Sequence, residues 1–368
     1  MGPDKRVIRA FVVADIPAVA RLHGTVFPEG GGESRRTPEA YETWLRDVFV
    51  EGPYPGLGFD SLVCEDNGTV IGFLGVVPTR MALDGKRLWA TCCTQFGVDP
   101  GHRGLAGLQM VRRHMDGPQD LSFSDESEEN ALRLWEWAGA SRIPVASLHF
   151  MRPLRPGAWA LSLLGQRPAL ALAARAAAPA LALADALLER LPGSHFRRVT
   201  PPTTGDELDV ATIVASLGPL IGERGLAPVY ERDERALAWR LARASGFARR
   251  GPLRQTLVRN AAGAELGWYI AYLPHGGTGE VLQVVATPAT AAAVLNHMVH
   301  DAGMAGVIGL SGRVDPALLQ AYSDAYCLFS RRGPWTMVHA KDRALVDRFH
   351  RGQVFFSRLE GEWCARFE

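Results

Sequence analysis

The residues best suited to chemistry lie in 89–113, WATCCTQFGVDPGHRGLAGLQMVRR. An apolar run from Trp89 to Val98 passes through Asp99-Pro100 and a Gly-rich turn carrying Arg103, then enters an amphipathic helix. Strand, glycine turn and helix in that order place main-chain N–H groups without helical partners at a helix N-terminus. There they and the helix dipole bind phosphate oxygens without a special side chain. The amides from about Arg103 to Leu108 suit a pyrophosphate, and the polar backbone of the preceding strand can pair with an extended, amide-bearing ligand. A ligand that is both peptide-like and pyrophosphate-bearing is coenzyme A. The competing reading is a structural turn in which Arg103 caps or salt-bridges.

The elements that must position this turn belong to a chain of 368 residues, long for one core and comfortable for two domains. Hydrophobic residues make up 47% and charged residues 21%, and the net charge is +1, which excludes a disordered chain and gives no sign of nucleic-acid or acidic-membrane binding from the total. The five cysteines (Cys64, Cys92, Cys93, Cys327, Cys364) form an odd set without metal-ligand spacing. The vicinal Cys92 and Cys93 fall in a strand, on opposite faces, so reduced thiols in a cytoplasmic protein are expected. His23, His102, His114 and His149 likewise show no metal spacing, and no metal is expected. The N-terminus lacks an apolar stretch of secretory type.

Residues 6–13 read as a strand, Asp15 opens a helix, 28–38 is a Gly- and charge-rich connection, and Thr37-Pro38 opens a second helix to about 50. A β-meander follows, turning at Asn67-Gly68 and Asp84-Gly85. The helix at about 103–116, a strand at 119–125, a helix at 127–140 and a final strand at 144–156 complete the first half. Beyond Pro201-Pro202 the order recurs: helices at 206–224 and 233–245, and strands at 254–260, 265–273 and 280–286. A helix at 288–303, a strand at 306–311, a helix at 315–325 and strand-like pieces at 326–330, 335–340 and 354–359 follow. The repetition is of pattern only, with no identity at a fixed period.

Between the halves, residues 158–193 are Ala/Leu-rich and broken by Pro168 and Pro179, with uncharged stretches far short of the ~20 residues of a spanning helix. The favoured expectation is a helical connector whose apolar faces pack on both domains; a membrane-surface hairpin and a wall for a long acyl chain are the functional alternatives.

VDPGHRGLAG (98–107) is similar to the V-x-P-x-x-R-G-x-G-x-G/A motif of the GNAT superfamily of N-acyltransferases, and NALRLWEWAGA (130–140) resembles the helix after that family's fifth strand. The resemblance implies an α/β fold with mixed α+β sheets, two tandem GNAT-like domains (1–156 and 201–368) joined by the helical connector (157–200). It implies acetyl-CoA or another acyl-CoA as donor, with Phe96, Gly97 and Val98 beside the pantetheine arm and Arg103, Gly104, Leu105, Ala106, Gly107 and Leu108 around the pyrophosphate. An amide near Phe96 would polarise the thioester carbonyl, and Arg112-Arg113 could meet the 3′-phosphate or merely suit the helix C-terminus. This sequence departs from the family at Ala106 and Leu108. Trp135 replaces the tyrosine that donates a proton to the leaving thiolate, and Glu128 replaces the helix-opening asparagine, with Asn130 two residues on. The second half has VVATPATAAAVL (284–295) at the corresponding junction, without arginine or glycine, so no phosphate site is expected there.

An N-acyltransferase must also take a proton from its amine. Asp125 and Glu126 are the candidates, with Glu33 behind them; helix capping by Asp125, Ser127 and Glu128 is the competing role. Cys92 has no neighbouring histidine and reads as an inert thiol. Glu360, Glu362 and His339 could face an inter-domain cleft or be structural. The function implied is transfer of an acetyl or longer acyl group to a primary amine on a small molecule or peptide by direct attack, with no nucleic-acid or spanning-membrane partner. The alternative is a non-catalytic scaffold binding coenzyme A or a partner protein. A tRNA-dependent aminoacyl transferase is disfavoured by the near-zero net charge.

Overall fold

A computed structural model describes residues 6–27, 37–102, 104–165, 167–221, 225–231, 233–331 and 333–367, excepting the side chains of Asn130, Pro168 and Ala171. Arg103 and Glu33 therefore lie outside the described residues. The first half runs β1 (Arg6–Ala10), α1 (Ile16–Val26), α2 (Pro38–Phe49), β2 (Leu62–Asp66), β3 (Thr69–Leu83), β4 (Lys86–Val98), α3 (Leu105–Met115), β5 (Leu121–Ser127), α4 (Glu129–Trp137), β6 (Ser141–Arg142) and β7 (His149–Pro153). Thr37 caps α2 by accepting the Ala40 amide through Oγ1, with Pro38 at the first helical position. Asn67-Gly68 and Asp84-Gly85 turn the meander with positive φ at all four residues, as tight hairpins of this kind require.

Two helices follow, α5 (Pro156–Gly165) and α6 (Ala171–Leu188), then β8 (Thr203–Glu207), α7 (Val210–Ile221), β9 (Ala227–Pro228), α8 (Glu234–Ser245), β10 (Leu253–Asn260), β11 (Glu265–Tyr272) and β12 (Thr278–Ala286). The chain ends with α9 (Ala291–Met304), β13 (Gly309–Arg313), α10 (Leu319–Asp324), β14 (Leu328–Ser330), β15 (Trp335–Ala340) and α11 (Arg343–His350). Two expectations fail here. Residues 203–207 form an exposed edge strand rather than the start of a helix, and 354–359 form no strand.

The sheets exchange strands. The first has the order β1-β2-β3-β4-β5-β15-β6, with β9 also on β3; the second has β14-β7-β13-β12-β11-β10-β8. Strand β15, from the far end of the chain, pairs antiparallel with β5 (Val338 opposite Phe123) and with β6. In return β7 lies between β13 and β14 (Phe150 opposite Gly312 and Phe329). The expectation that the strand near 144–156 closes the first domain is thus corrected, and a cut at residue 156 does not part the two sheets. Helices cover both faces of each sheet. In the first, α1, α2 and α11 lie over one apolar cluster around Leu45, Phe73 and Phe349, and α3 and α4 over another around Met110 and Trp135. In the second, α7 and α8 cover Trp268 and Trp363, while α9 and α10 cover Tyr269 and Tyr322.

The connector also departs from expectation. Helices α5 and α6 form a hairpin with Gly157 against α6, where a Cβ would stand 2.7 Å from the Leu181 carbonyl oxygen. Asp185 accepts the Gly157 and Ala158 amides at 2.7 and 2.9 Å, fixing the start of α5. Among the described side chains from 156 to 191 only Gly157, Ala174 and Asp185 are buried, so the apolar faces do not pack on both domains. No helix among the described residues is long and apolar enough to cross a membrane.

Candidate functional site

The site begins with a defect in the meander. Opposite β3 the register shifts between Phe73 and Gly75, so that Gln95 and Phe96 of β4 oppose Leu74 alone, and Gln95 takes φ +52°. Such a bulge bends a strand and re-aims its polar backbone. Strand β4 pairs parallel with β5 only at Ala90–Leu121, Thr91–Ser122 and Cys92–Phe123. Past that point β5 stays with β15, through Ser124–Met337 and Ser127–Trp335, and the two strands diverge. Between them opens a cleft of about 830 Å³, walled by Cys93–Phe96 of β4, Ser124, Glu126 and Ser127 of β5, and Trp135 of α4. Its far wall carries Phe27 and Tyr41 beside α1 and α2, Arg249, Arg250 and Glu280 from the second half, and Glu362, Arg366 and Phe367.

Above β4, α3 starts after Gly104, whose φ of +104° is accessible to glycine and costly for other residues. No side chain caps this end, and the first helical bond runs from the Leu108 amide to the Gly104 carbonyl. The amides of Leu105, Ala106 and Gly107 therefore lie ahead of the hydrogen-bond ladder. A Cβ on Gly107 would stand 3.2 Å from Phe96 Cζ and 3.7 Å from Val98 Cγ2, so the first turn of α3 packs directly on β4. The structure thus brings Phe96, Gly97, Val98 and Gly104–Leu108 together, with Phe96 in the cleft and the helix turn beside it.

The acid–base candidates separate. Asp125 is buried and is not in the cleft wall: Oδ2 accepts from Arg313 Nη2 at 2.6 Å, and Oδ1 from the Glu362 amide at 2.7 Å. Glu126 reaches the cleft but accepts from Arg358 at 3.0 Å and from Arg366 Nε at 2.9 Å. Burial pushes its pKa up, but Arg366 and Arg358 outweigh that and hold it below the ordinary carboxylate value. Both carboxylates are thus held in ion pairs, Asp125 with Arg313 and Glu126 with Arg358 and Arg366. They do not act as caps either, for Glu128 occupies the N-cap of α4 without a side-chain bond and Ser127 pairs with Ser124 Oγ.

Glu362 presents a carboxyl group to the cleft. Its Oε1 accepts from Ser124 Oγ and, at 2.9 Å, from the Glu126 amide, while Oε2 has no partner among the described residues. Burial first, then the adjacent Asp125 and Glu126 carboxylates, push it up to about 8. Of the other acceptor-side candidates, Glu360 is buried on Tyr230, Gln283 and Ser357, and His339 lies on β15 away from the cleft wall. Cys93 sits on the cleft floor, but burial and Glu362 raise its thiol well above the usual range; burial and Asp125 do the same to Cys92. Neither is a nucleophile at neutral pH. Sequence reading missed Ser124, Arg250, Glu280 and Arg366, because only the strand exchange and the packing of the two halves bring them to one opening.

No family model matches the sequence, and no curated protein matches it. The structure is similar to a probable N-acyltransferase of Enterococcus faecalis (TM-score 0.55, 14% identity, 91% of this chain and 72% of that one). It is also similar to GCN5-related N-acetyltransferases of Kribbella flavida (0.54, 13%, 92% and 72%) and Anabaena variabilis (0.54, 12%, 91% and 72%). The fold is that of the GNAT superfamily. The second sheet repeats the divergence: β12 pairs parallel with β13 from Thr278–Gly309 to Val281–Gly312 and no further. There the opening is filled. Phe355, Phe356 and Ser357 occupy it, the Arg358 amide donates to the Leu282 carbonyl at 3.0 Å, and about 20 Å³ is left. Ahead of α9, Thr287 and Thr290 bond each other's polar groups, leaving nothing like the open turn at Gly104.

Proposed function

We propose that this chain is an N-acyltransferase that takes an acetyl or longer acyl group from acyl-CoA and delivers it to a primary amine in the β4–β5 cleft. The observation that carries this reading is the junction of three features: the Gln95 bulge, the open strand divergence and the uncapped first turn of α3 on Phe96. The donor fits this set. The divergent β4 edge from Phe96 to Val98 has polar backbone for the pantetheine amides, and the Leu105–Gly107 amides suit the pyrophosphate. The thioester supplies an acyl group already activated for attack.

The remaining tasks fall to this chain's residues. The bulge takes main-chain N–H near Phe96 out of the regular ladder at the cleft wall, and such a group would steady developing negative charge on a carbonyl oxygen. Glu362 would take the proton of the incoming ammonium at Oε2, while Ser124 and the Glu126 amide hold Oε1 in place. Asp125, through the Glu362 amide and Arg313, is a positioning residue. Trp135 has no acidic proton to give a thiolate, which leaves the leaving group to water or to protonated Glu362.

Calorimetry with coenzyme A, followed by thiol release from acetyl- and longer acyl-CoAs with a panel of amines, tests the proposal. Wild-type chain should bind and turn over, and Gly104→Glu, which puts a carboxylate before the α3 amides, should weaken binding at least tenfold. Binding without turnover on any amine would favour the scaffold reading; no binding would end both.

A further inference from the structure

The α5–α6 hairpin has an apolar surface that the rest of the fold does not cover. Leu172, Ala176, Pro179, Leu183 and Leu187 follow one another at helical spacing along one side of α6, and the leucines are 80%, 63% and 53% exposed in that order. A helix this apolar is ordinarily buried in a core or a membrane. Around it the charge is one-sided. Residues 155–198 contain Arg155, Arg167, Arg175, Arg190, Arg197 and Arg198 against only Asp185 and Glu189, in a chain whose total is +1. Both carboxylates are committed internally: Asp185 holds the start of α5, and Glu189 pairs with Arg155 and Arg198. Arg175, Arg190 and Arg197 are exposed and have no ion pair among the described residues.

At the foot of the hairpin lies another cavity of about 430 Å³, lined by Arg152, Arg155, Arg197, Arg198, His195 and His300, with Glu189, itself paired with Arg155 and Arg198, and Asp324. Arg152 is buried, its guanidinium 5.4 Å from the Phe196 ring centre and 5.9 Å from that of Tyr326. Arg152 Nε and His300 Nδ1 are buried without a hydrogen-bond partner among the described residues. A buried guanidinium N–H without a partner, in a cavity where arginines outnumber carboxylates, suits an anionic oxygen ligand.

We infer that the α5–α6 hairpin docks on an anionic phospholipid surface, with its leucine stripe in the interface, its arginines on the headgroups and one headgroup phosphate in the basic cavity. The inference does not depend on acyl transfer. Pairing with a second copy is the weaker fit, because it would set the same unpaired arginines against each other with no free carboxylate between them.

Flotation of the full chain with vesicles of phosphatidylcholine alone, or mixed equally with phosphatidylglycerol, tests it. Wild type should float with the anionic vesicles, far less with the neutral ones, and detach as salt rises. Leu172→Glu with Leu183→Glu should abolish flotation at unchanged circular dichroism. Arg175→Gln, Arg190→Gln and Arg197→Gln together should weaken it on the order of a hundredfold. Should the leucine variant fail to fold, the arginine variant and the salt titration of wild type decide the matter. Wild type that stays unbound on anionic vesicles overturns the inference, as does a dimer that the leucine variant splits in a chain that binds no vesicle.

Discussion

Replacing Glu362 by glutamine tests the proton-transfer assignment on two independent scales. The amide keeps an oxygen for Ser124 Oγ and the Glu126 amide, so the fold has no reason to change around it. With the carboxyl group pushed from 4.5 up to about 8, about one molecule in ten carries the ionised form at pH 7. Wild-type kcat/KM should then climb about tenfold per pH unit until pH 8, and Glu362→Gln should lose about 10²- to 10⁴-fold along with that limb. Stability gives the second scale. The folded state prefers the neutral acid, so its contribution is complete below pH 4.5 and is lost as pH rises to 8. The loss amounts to ~2 kcal/mol by pH 6 and ~5 kcal/mol by pH 9, at about 1.4 kcal/mol per pH unit. Glutamine is free of it and should gain ~3 kcal/mol more over wild type at pH 9 than at pH 6. Urea unfolding followed by tryptophan fluorescence at the two pH values reads this directly. An equal gain at both would show that Glu362 titrates normally, and undiminished turnover would remove it from the chemistry.

Three further outcomes follow from the same geometry. Gly361→Ala would place a methyl 2.1 Å from Asp125 Oδ2, so it should cost about 1–3 kcal/mol and lower kcat by displacing the Glu362 turn, measured by urea unfolding and steady-state rates. Asp125→Asn strips the counter-charge from Arg313, whose side chain is 4% exposed, and should destabilise the chain by about 3–5 kcal/mol in the same unfolding assay; a smaller loss than Gly361→Ala would contradict the buried pair. Residues 1–200 expressed alone lack β15 and leave β5 with an open edge, so they should be insoluble unless 201–368 are co-expressed; a soluble monomer with native-like circular dichroism would show the exchange to be dispensable.

What the sequence made legible was local. The Asn67-Gly68 and Asp84-Gly85 turns, the Thr37-Pro38 helix start and the strand–glycine–helix junction at 98–107 each depend on residues a few positions apart, and each is where the pattern placed it. Partner identity was not legible. The run Trp335–Ala340 reads as a strand, yet says nothing of its neighbour, and it pairs across more than two hundred residues with β5. Thr203–Glu207 reads as the approach to a helix because an exposed edge strand needs no apolar side to hold its place. Asp125 and Glu126 look like a base pair of candidates on residue type alone. Their arginine partners, Arg313, Arg358 and Arg366, come from the last sixty residues, and sequence offers no signal for that meeting.

That meeting is also what makes the two sheets unequal. After α11 the chain crosses the second sheet first, where Phe355, Phe356 and Ser357 fill the space between β12 and β13 and Arg358 bonds the β12 backbone. A few residues later it reaches the first sheet, where Asp125 holds the Glu362 amide and the carboxyl group turns into the open cleft. One continuous segment therefore closes one strand divergence and equips the other. Its path is fixed by β15, which must lie beside β5 for the chain to pass the first opening at all, and β5 in turn needs β15 because its own half sends β7 away. The exchange, the plugged second opening and the carboxyl group in the first are thus consequences of one route through the fold. A substitution that loosens β15 from β5 should disturb the protonation of Glu362 before it disturbs the α3 turn, which packs on Phe96 and Val98 of β4 and on Leu134 of α4.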